Sequence, residues 1–161
     1  MKNGFSEKII KSHAGLVKIV NALKGKGKKI VFTNGCFDIL HVGHVDYLAK
    51  ARSLGDTLIV GLNSDKSVRT IKGSTRPLNS ENDRARVLAA LSSVDYIAIF
   101  NKSTPEELIA KVRPGILVKG GDWKKEYIAG SKFVKSSGGR VIIIPFVAGY
   151  STTSMINKMK M

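Results

Sequence analysis

The sequence predicts an α/β protein in which five parallel strands form a doubly wound sheet with helices on both faces. Short runs of β-branched and apolar residues recur along the chain, in residues 29–33, 57–62, 96–100, 116–119 and 140–145. Segments with helical spacing lie between them, in residues 42–53, 80–92 and 105–112. Strands that alternate with helices favour a parallel sheet with right-handed crossovers. The apolar runs are continuous, as expected for strands that are covered on both faces.

The elements follow from local patterns. Leu16, Val20 and Leu23 fall at helical spacing, and two glycines, Gly25 and Gly27, end that N-terminal helix. We therefore divide the chain into a basic N-terminal helical segment, residues 1–27, and a main domain, residues 28–161. Residues 66–79 have weak periodicity, contain Gly73 and Pro77, and are predicted to be a cationic, flexible loop.

Composition limits the class of protein. A chain of 161 residues with 43% hydrophobic and 24% charged residues is one domain with an ordinary core. No apolar run is long enough to span a bilayer, and the N-terminus lacks a signal-peptide core. A single cysteine, Cys36, excludes an internal disulfide and a cysteine-based metal site. We expect a cytoplasmic protein, with Cys36 as a small filler of the interior and not a nucleophile.

The net charge of +15 is unevenly distributed. The segment before the first strand holds eight lysines against one glutamate, a net charge of +7. Such a segment could bind nucleic acid or an acidic surface. It contains no arginine and no motif of a nucleic-acid reader, so we interpret it as a solvated helix face. We expect no nucleic acid and no membrane among the partners, whereas self-association remains open.

Two histidines mark the predicted site. The first strand breaks at Thr-Asn-Gly, and His41 and His44 follow around Gly43, where the next helix starts. An open α/β sheet binds phosphates at such a position, because backbone N–H groups and the helix dipole favour an anion. Residues three apart share a helix face, so both imidazoles can contact one phosphate chain. Gly43 leaves room for a nucleotide to approach the backbone.

These residues resemble the nucleotidylyltransferase superfamily, which includes the cytidylyltransferases. The His-x-Gly-His motif follows a strand that ends in Asn-Gly-Cys-Phe-Asp, and further matching blocks follow in residues 61–65, 72–77, 83–84, 118–122 and 151–154. Together they look most like the adenylyltransferase domains that make ADP-heptose from D-glycero-β-D-manno-heptose 1-phosphate. The resemblance implies a Rossmann-like fold and transfer of AMP from ATP, with release of pyrophosphate. Mg²⁺ would arrive with ATP, because no dense carboxylate or histidine cluster forms a dedicated cage.

The resemblance also assigns site residues. His41, His44 and Lys72 take catalytic roles. Contacts to the nucleotide are assigned to residues around the first turn, after the fourth strand and near the C-terminus: Thr33, Asn34, Gly35, Cys36, Phe37, Asp38, Gly43, Lys119, Gly120, Asp122, Ser151, Thr152 and Thr153. The acceptor phosphate is assigned to Arg76 or Arg84, because a guanidinium binds phosphate in a bidentate fork. Asp38 could instead cap the turn.

Two alternatives remain open. Cytidylyltransferases that act on glycerol 3-phosphate carry an arginine just before their Gly-x-Ser-Thr block, where this chain has Val147 and Ala148. That difference favours the heptose branch. The second alternative is a basic nucleotide- or RNA-binding module without catalysis. The presence of His41, His44, Lys72 and the hydroxyl block argues against it.

Overall fold

A computed structural model of the chain describes residues 4–121, 123–145 and 149–159. Six parallel strands form one sheet in the order β1-β4-β3-β2-β5-β6. The strands are β1 Ile9–Ile10, β2 Ile30–Gly35, β3 Thr57–Asn63, β4 Tyr96–Phe100, β5 Ile116–Gly120 and β6 Arg140–Ile144. The helices are α1 His13–Gly25, α2 Val42–Arg52, α3 Asp65–Lys72, α4 Glu81–Ala89, α5 Glu106–Val112, α6 Ser131–Ser136 and α7 Thr152–Met159. Short 3₁₀ turns span Ser6–Lys8 and Lys125–Tyr127.

The predicted α/β fold is confirmed, and the sheet has two hydrophobic layers. On one face, Leu48 of α2 and Leu88 of α4 pack against the strands. On the other face, Leu16 of α1 and Ile109 of α5 do so. Strand β3 is buried along its whole length. Helices on both faces explain why the strands carry continuous apolar runs.

The expected number of strands was wrong, because the sheet has six and not five. Ile9 and Ile10 form the extra edge strand and pair with Ile97 and Ala98 of β4. A strand of two residues is too short to produce a periodic signal in sequence. The N-terminal segment therefore adds a strand to the sheet and, through Leu16 and Val20, a helix to the core.

The expectation of an irregular loop over residues 66–79 was also wrong in its first half. Residues Asp65–Lys72 form α3, whose N-terminus is capped by the Ser64 side chain, which accepts a hydrogen bond from the Ser67 N–H. Val68 buries this short helix against the domain, although charged residues obscure its periodicity. Gly73, with φ 97°, ends it. The irregular loop is confined to residues 73–80. Within the described residues, no helix is long and apolar enough to cross a bilayer.

Candidate phosphate-transfer site

The strand order creates a cleft at the carboxyl ends of β2 and β5. From β2 the chain passes to β3 and β4 on one side and then returns to β5 on the other side. The connections that leave β2 and β5 therefore diverge, which opens the crevice where sheets of this type bind ligands. Asn34 and Gly35 end β2, Lys119 and Gly120 end β5, and all four are half-buried.

The two histidines stack at the start of α2. His41 is the N-cap residue, and its carbonyl accepts hydrogen bonds from the N–H groups of His44, at 2.9 Å, and Val45, at 3.2 Å. The imidazole centroids are 3.8 Å apart, with 21° between the planes. A Cβ at Gly43 would lie 3.0 Å from His41 Nδ1 and 3.2 Å from Tyr150 Cβ. Gly43 is thus needed for the histidine geometry itself, in addition to any approach of a ligand.

The imidazoles are electrostatically poised to meet an anion. Both Nδ1 atoms are buried and have no hydrogen-bond partner among the described residues. Burial, followed by the charges of His41 and Lys72, lowers the pKa of His44 to about 4. Burial also lowers the pKa of His41. Both rings are therefore neutral at pH 7, and an incoming phosphate would supply the missing partners.

The low pKa of His44 predicts a loss of stability in acid. Between about 6.5, the ordinary value, and about 4, the unfolded chain binds a proton at His44 that the folded chain excludes. The contribution of neutral His44 to stability is therefore fully present above about pH 6.5 and is lost as the pH falls toward about 4. Between pH 7 and pH 5 the free energy of unfolding should decrease by about 1 kcal/mol less in His44→Asn than in the original protein, a value that allows for partial solvent exposure. Urea unfolding at both pH values measures this effect, and an unchanged pH dependence in the variant would contradict it.

The turn before the histidines is strained and supports them. Phe37 has φ 45°, in the left-handed region that side chains other than glycine rarely adopt. Its ring meets His44 edge-on, with centroids 5.3 Å apart. A Cβ at Gly35 would lie 2.9 Å from Phe37 Cε2, so only glycine fits there. The Phe37 ring, which packs over Gly35, therefore supports the His44 ring from one side. Sequence spacing does not reveal this contact.

The Asp38 carboxylate binds donors of the protein itself, which is the alternative in which Asp38 caps the turn. Its carboxylate accepts hydrogen bonds from Arg76 Nε at 2.8 Å and from the N–H groups of Leu78 and Asn79 at 2.9 Å. Burial alone would raise the pKa of Asp38, but these hydrogen bonds and the Arg76 charge hold the pKa below its usual value. Asp38 therefore fixes the loop after α3 to the turn before the histidines. Its carboxylate is already surrounded by donors, so a direct contact with a nucleotide needs another group.

Arg84 also binds groups of the protein itself. Its side chain is 0% exposed. The guanidinium donates to the carbonyl oxygens of Asn79 and Cys36 and, at 2.8 Å, to Asp65 Oδ1. These bonds join α4 to α3, to the turn and to the loop. The guanidinium is thus buried against groups of the protein itself, and its role toward the acceptor phosphate stays a prediction.

Arg76 and Lys72 remain available for anions. Arg76 Nη2 is buried without a hydrogen-bond partner in the described part of the chain, while its Nε is held by Asp38. Lys72 is exposed at the last position of α3, and its charge acts on His44. The structure thus brings both cations to the histidine side of the cleft.

Two other predicted contacts are altered by burial. Thr33 is fully buried, and its hydroxyl lies 2.6 Å from the Tyr47 hydroxyl, so its side chain faces α2 and not the cleft. Its contact with a nucleotide stays a prediction, and the buried hydroxyl leaves the backbone of Thr33 as the group that could make it. Lys119 is half-buried at the end of β5, and burial lowers the pKa of its ammonium group.

The C-terminal hydroxyl block lies at the start of α7. The Ser151 hydroxyl accepts from the Ser154 N–H at 3.0 Å, and the Thr152 hydroxyl reaches the Ile39 carbonyl at 3.4 Å. Thr153 is exposed. The contact between Thr152 and Ile39 places the start of α7 beside the turn that precedes the histidines. Asp122, which was also predicted to contact the nucleotide, lies outside the described residues, as do Val147 and Ala148.

Sequence reasoning gave no role to Tyr150. Its ring lies nearly parallel to that of His41, with centroids 6.3 Å apart, and it is half-exposed at the cleft. No periodicity or spacing identifies such a residue, because the contact joins positions more than a hundred residues apart in the chain.

Comparisons with known proteins identify relatives of this chain. The chain is 55% identical over 154 residues to the bifunctional protein HldE of Geobacter metallireducens, an alignment that covers 96% of this chain and 31% of that protein. It is also 55% identical over 151 residues to HldE of Pasteurella multocida, covering 94% of this chain and 32% of that protein. The chain thus spans about a third of the length of these curated relatives.

Solved structures share the fold. A lipopolysaccharide core biosynthesis protein from Thermoplasma volcanium matches with a TM-score of 0.61 and 29% identity, over 75% of this chain and 98% of that one. A pantoate-beta-alanine ligase from Francisella tularensis matches with a TM-score of 0.59 and 18% identity, over 94% of this chain and 76% of that one, which supports the fold alone. The model of the cytidylyltransferase-like family matches residues 32–157, and the chain belongs to that family.

Proposed function

We propose that this protein is a nucleotidyltransferase that transfers AMP from ATP to D-glycero-β-D-manno-heptose 1-phosphate, giving ADP-heptose and pyrophosphate. The observation that carries the proposal is the stacked pair of His41 and His44, with two unpartnered buried Nδ1 atoms in the cleft. The likeness of the motifs to heptose 1-phosphate adenylyltransferases and the 55% identity to HldE proteins support the substrates.

The reaction requires correct positioning of the two substrates more than activation of a nucleophile. An oxygen of the sugar phosphate attacks the α-phosphorus of ATP, and the bond from that phosphorus to the bridging oxygen of pyrophosphate breaks. A phosphate is already an anionic nucleophile at pH 7, so a basic triad is not required. The enzyme must align two anions and stabilise the charge that develops on the transferring group.

Each group in the cleft has a task in this scheme. His41 and His44 donate N–H bonds to oxygens of the transferring phosphate, and Lys72 balances its charge. Arg76, held by Asp38, offers Nη2 to the acceptor phosphate. The start of α7 receives the β- and γ-phosphates through Ser151, Thr152 and Thr153. ATP enters as its magnesium complex, with the ion carried by the substrate.

A screen for pyrophosphate release tests the proposal. ATP, CTP and GTP are each combined with heptose 1-phosphates, other sugar 1-phosphates and glycerol 3-phosphate. We expect turnover with ATP and the heptose phosphate. Turnover with CTP and glycerol 3-phosphate would instead support the cytidylyltransferase alternative, and nucleotide binding without pyrophosphate release would support the non-catalytic one.

The loop after α3 is proposed to close over the triphosphate. Trypsin should cut after Lys72, which is exposed and followed by Gly73, and ATP should protect this bond much better than AMP. Lys102, in another exposed loop, serves as the control bond and should be cut equally in all samples. Peptide mass spectrometry follows both bonds. Equal cleavage after Lys72 with and without ATP would mean that the loop does not contact the triphosphate.

A further inference from the structure

Much of the unusual positive charge lies at the amino edge of the sheet, opposite the cleft. The helices run antiparallel to the strands, so the ends of α1, α5 and α6 reach the edge where β2, β5 and β6 begin. Exposed basic residues occupy these helix ends and strand starts. We call them the basic edge: Lys24, Lys26, Lys28, Lys29, Arg113, Lys135 and Arg140.

Backbone contacts make the basic edge continuous. The Lys28 N–H donates to the Leu23 carbonyl in the last turn of α1, at 3.0 Å. A Cβ at Gly115 would lie 3.7 Å from Lys29 Cγ, and the Gly115 carbonyl accepts from the Arg140 N–H at 2.9 Å. Burial lowers the pKa of Lys24, and the charge of Arg113 adds to this shift, so α1 and α5 bring like charges together.

Local charge balance does not explain this cluster. In the part of the chain that the structure describes, none of the seven side chains forms a salt bridge. Two carboxylates lie nearby: Asp56 accepts from the Lys29 N–H at 2.7 Å, and this bond and the charges of Lys28 and Lys29 lower the pKa of Asp56, whereas Asp95 pairs with Arg52 at 2.7 Å. Helix dipoles favour cations at helix ends, but Lys28, Lys29 and Arg140 precede or begin strands. The single exposed carboxylate of Asp56 therefore offsets only part of the charge of these seven side chains.

We propose that the basic edge is a docking face for an anionic phospholipid bilayer. Clustered lysines and arginines bind anionic lipid through electrostatic attraction without a buried anchor. Because this edge is opposite the cleft, a docked molecule keeps its active site open to substrates. The sequence predicted no membrane partner, since the lysines of residues 1–29 looked like one solvated helix face; the fold adds Arg113, Lys135 and Arg140 to them.

Nucleic acid is the less suitable polyanion. Proteins that bind single strands stack bases on aromatic side chains beside their cations. The exposed aromatic residues of the described chain lie elsewhere, at Phe5, Trp123, Tyr127 and Tyr150. Trp123 follows the carboxyl end of β5, and Tyr150 faces His41. The basic edge therefore offers charge without a surface for reading bases.

Co-sedimentation with sucrose-loaded vesicles tests the proposal. The full chain is mixed, in about 0.1 M salt, with vesicles of phosphatidylcholine alone or of equal parts phosphatidylcholine and phosphatidylglycerol. We expect binding to the anionic vesicles only, with a steep decrease as salt increases. The variant Lys24→Gln/Lys28→Gln/Arg113→Gln/Arg140→Gln should bind on the order of 10²-fold more weakly.

A matched variant removes the same charge elsewhere. Lys11→Gln/Lys66→Gln/Lys102→Gln/Lys125→Gln should lose less than about tenfold, because these exposed lysines follow the carboxyl ends of strands and lie beyond the screening length from a surface docked at the basic edge. Equal losses in the two variants would overturn the proposal, since net charge alone would then explain binding. The proposal also fails if the full chain does not prefer anionic vesicles, or if duplex DNA or single-stranded RNA binds it more tightly than they do at the same salt. Pyrophosphate release in solution should be unchanged in both variants, so the outcome is independent of the proposed reaction.

Discussion

Replacement of His41 or His44 by alanine should lower kcat by about 10²-fold or more, with a smaller change in KM for ATP. The reason is that each imidazole is expected to donate to oxygens whose charge grows in the transition state, and one such donor is worth about this factor. The stacked rings, 3.8 Å apart, act as one unit, so the double variant should lose less than the product of the two single losses.

The chain provides its own control in His13. This third histidine starts α1, and its Nδ1 lies 2.6 Å from Lys111 Nζ, away from the cleft. His13→Ala should leave kcat and KM within about twofold of the original values, as expected for a residue that contacts no reacting group. Steady-state pyrophosphate assays on the four variants measure both parameters. A near-normal kcat in His41→Ala or His44→Ala would remove that histidine from the proposed mechanism.

Arg84→Ala should cause the largest loss of stability among single replacements near the site. The guanidinium is fully buried, and its removal leaves Asp65 and the carbonyl oxygens of Cys36 and Asn79 without their donor. Breaking a buried ion pair by deleting one partner costs about 3–5 kcal/mol. The side chain of Asp65 is 25% exposed, so water relieves part of the penalty and the lower end of that range is expected.

Urea unfolding measures this loss, and Arg86→Ala is its matched control. Arg86 lies two residues further along α4 and is exposed, so its replacement should change the free energy of unfolding by less than about 0.5 kcal/mol. Arg84→Lys keeps the charge but loses the fork geometry and should fall between the two. A loss below about 1 kcal/mol in Arg84→Ala would show that the three contacts contribute little.

The same residues explain which parts of the site could be predicted. His41, His44 and Gly43 are neighbours in sequence, and local helix geometry alone is enough to bring the two imidazoles together. Asp38 and Arg84 have equally clear sequence signals, but Asp38 bonds to residues 38 to 41 positions away, and Arg84 bonds to residues 5, 19 and 48 positions away. A carboxylate or guanidinium near a phosphate site is expected to bind substrate until the fold reveals which donors and acceptors already surround it.

The sequence by itself determined the α/β class and the family resemblance and predicted the site at the exit of β2, because each rests on short local patterns that follow one another in order along the chain. Only the tertiary structure decided that Asp38 and Arg84 hold the loop and turn together, that Thr33 faces Tyr47, and that Tyr150 covers His41. It also added β1 to the sheet and gathered the basic edge from the ends of three helices and the starts of two strands. Burial, hydrogen-bond partners and the field of distant charges arise only when segments far apart in the chain are packed together, and these properties set what each polar group is free to bind.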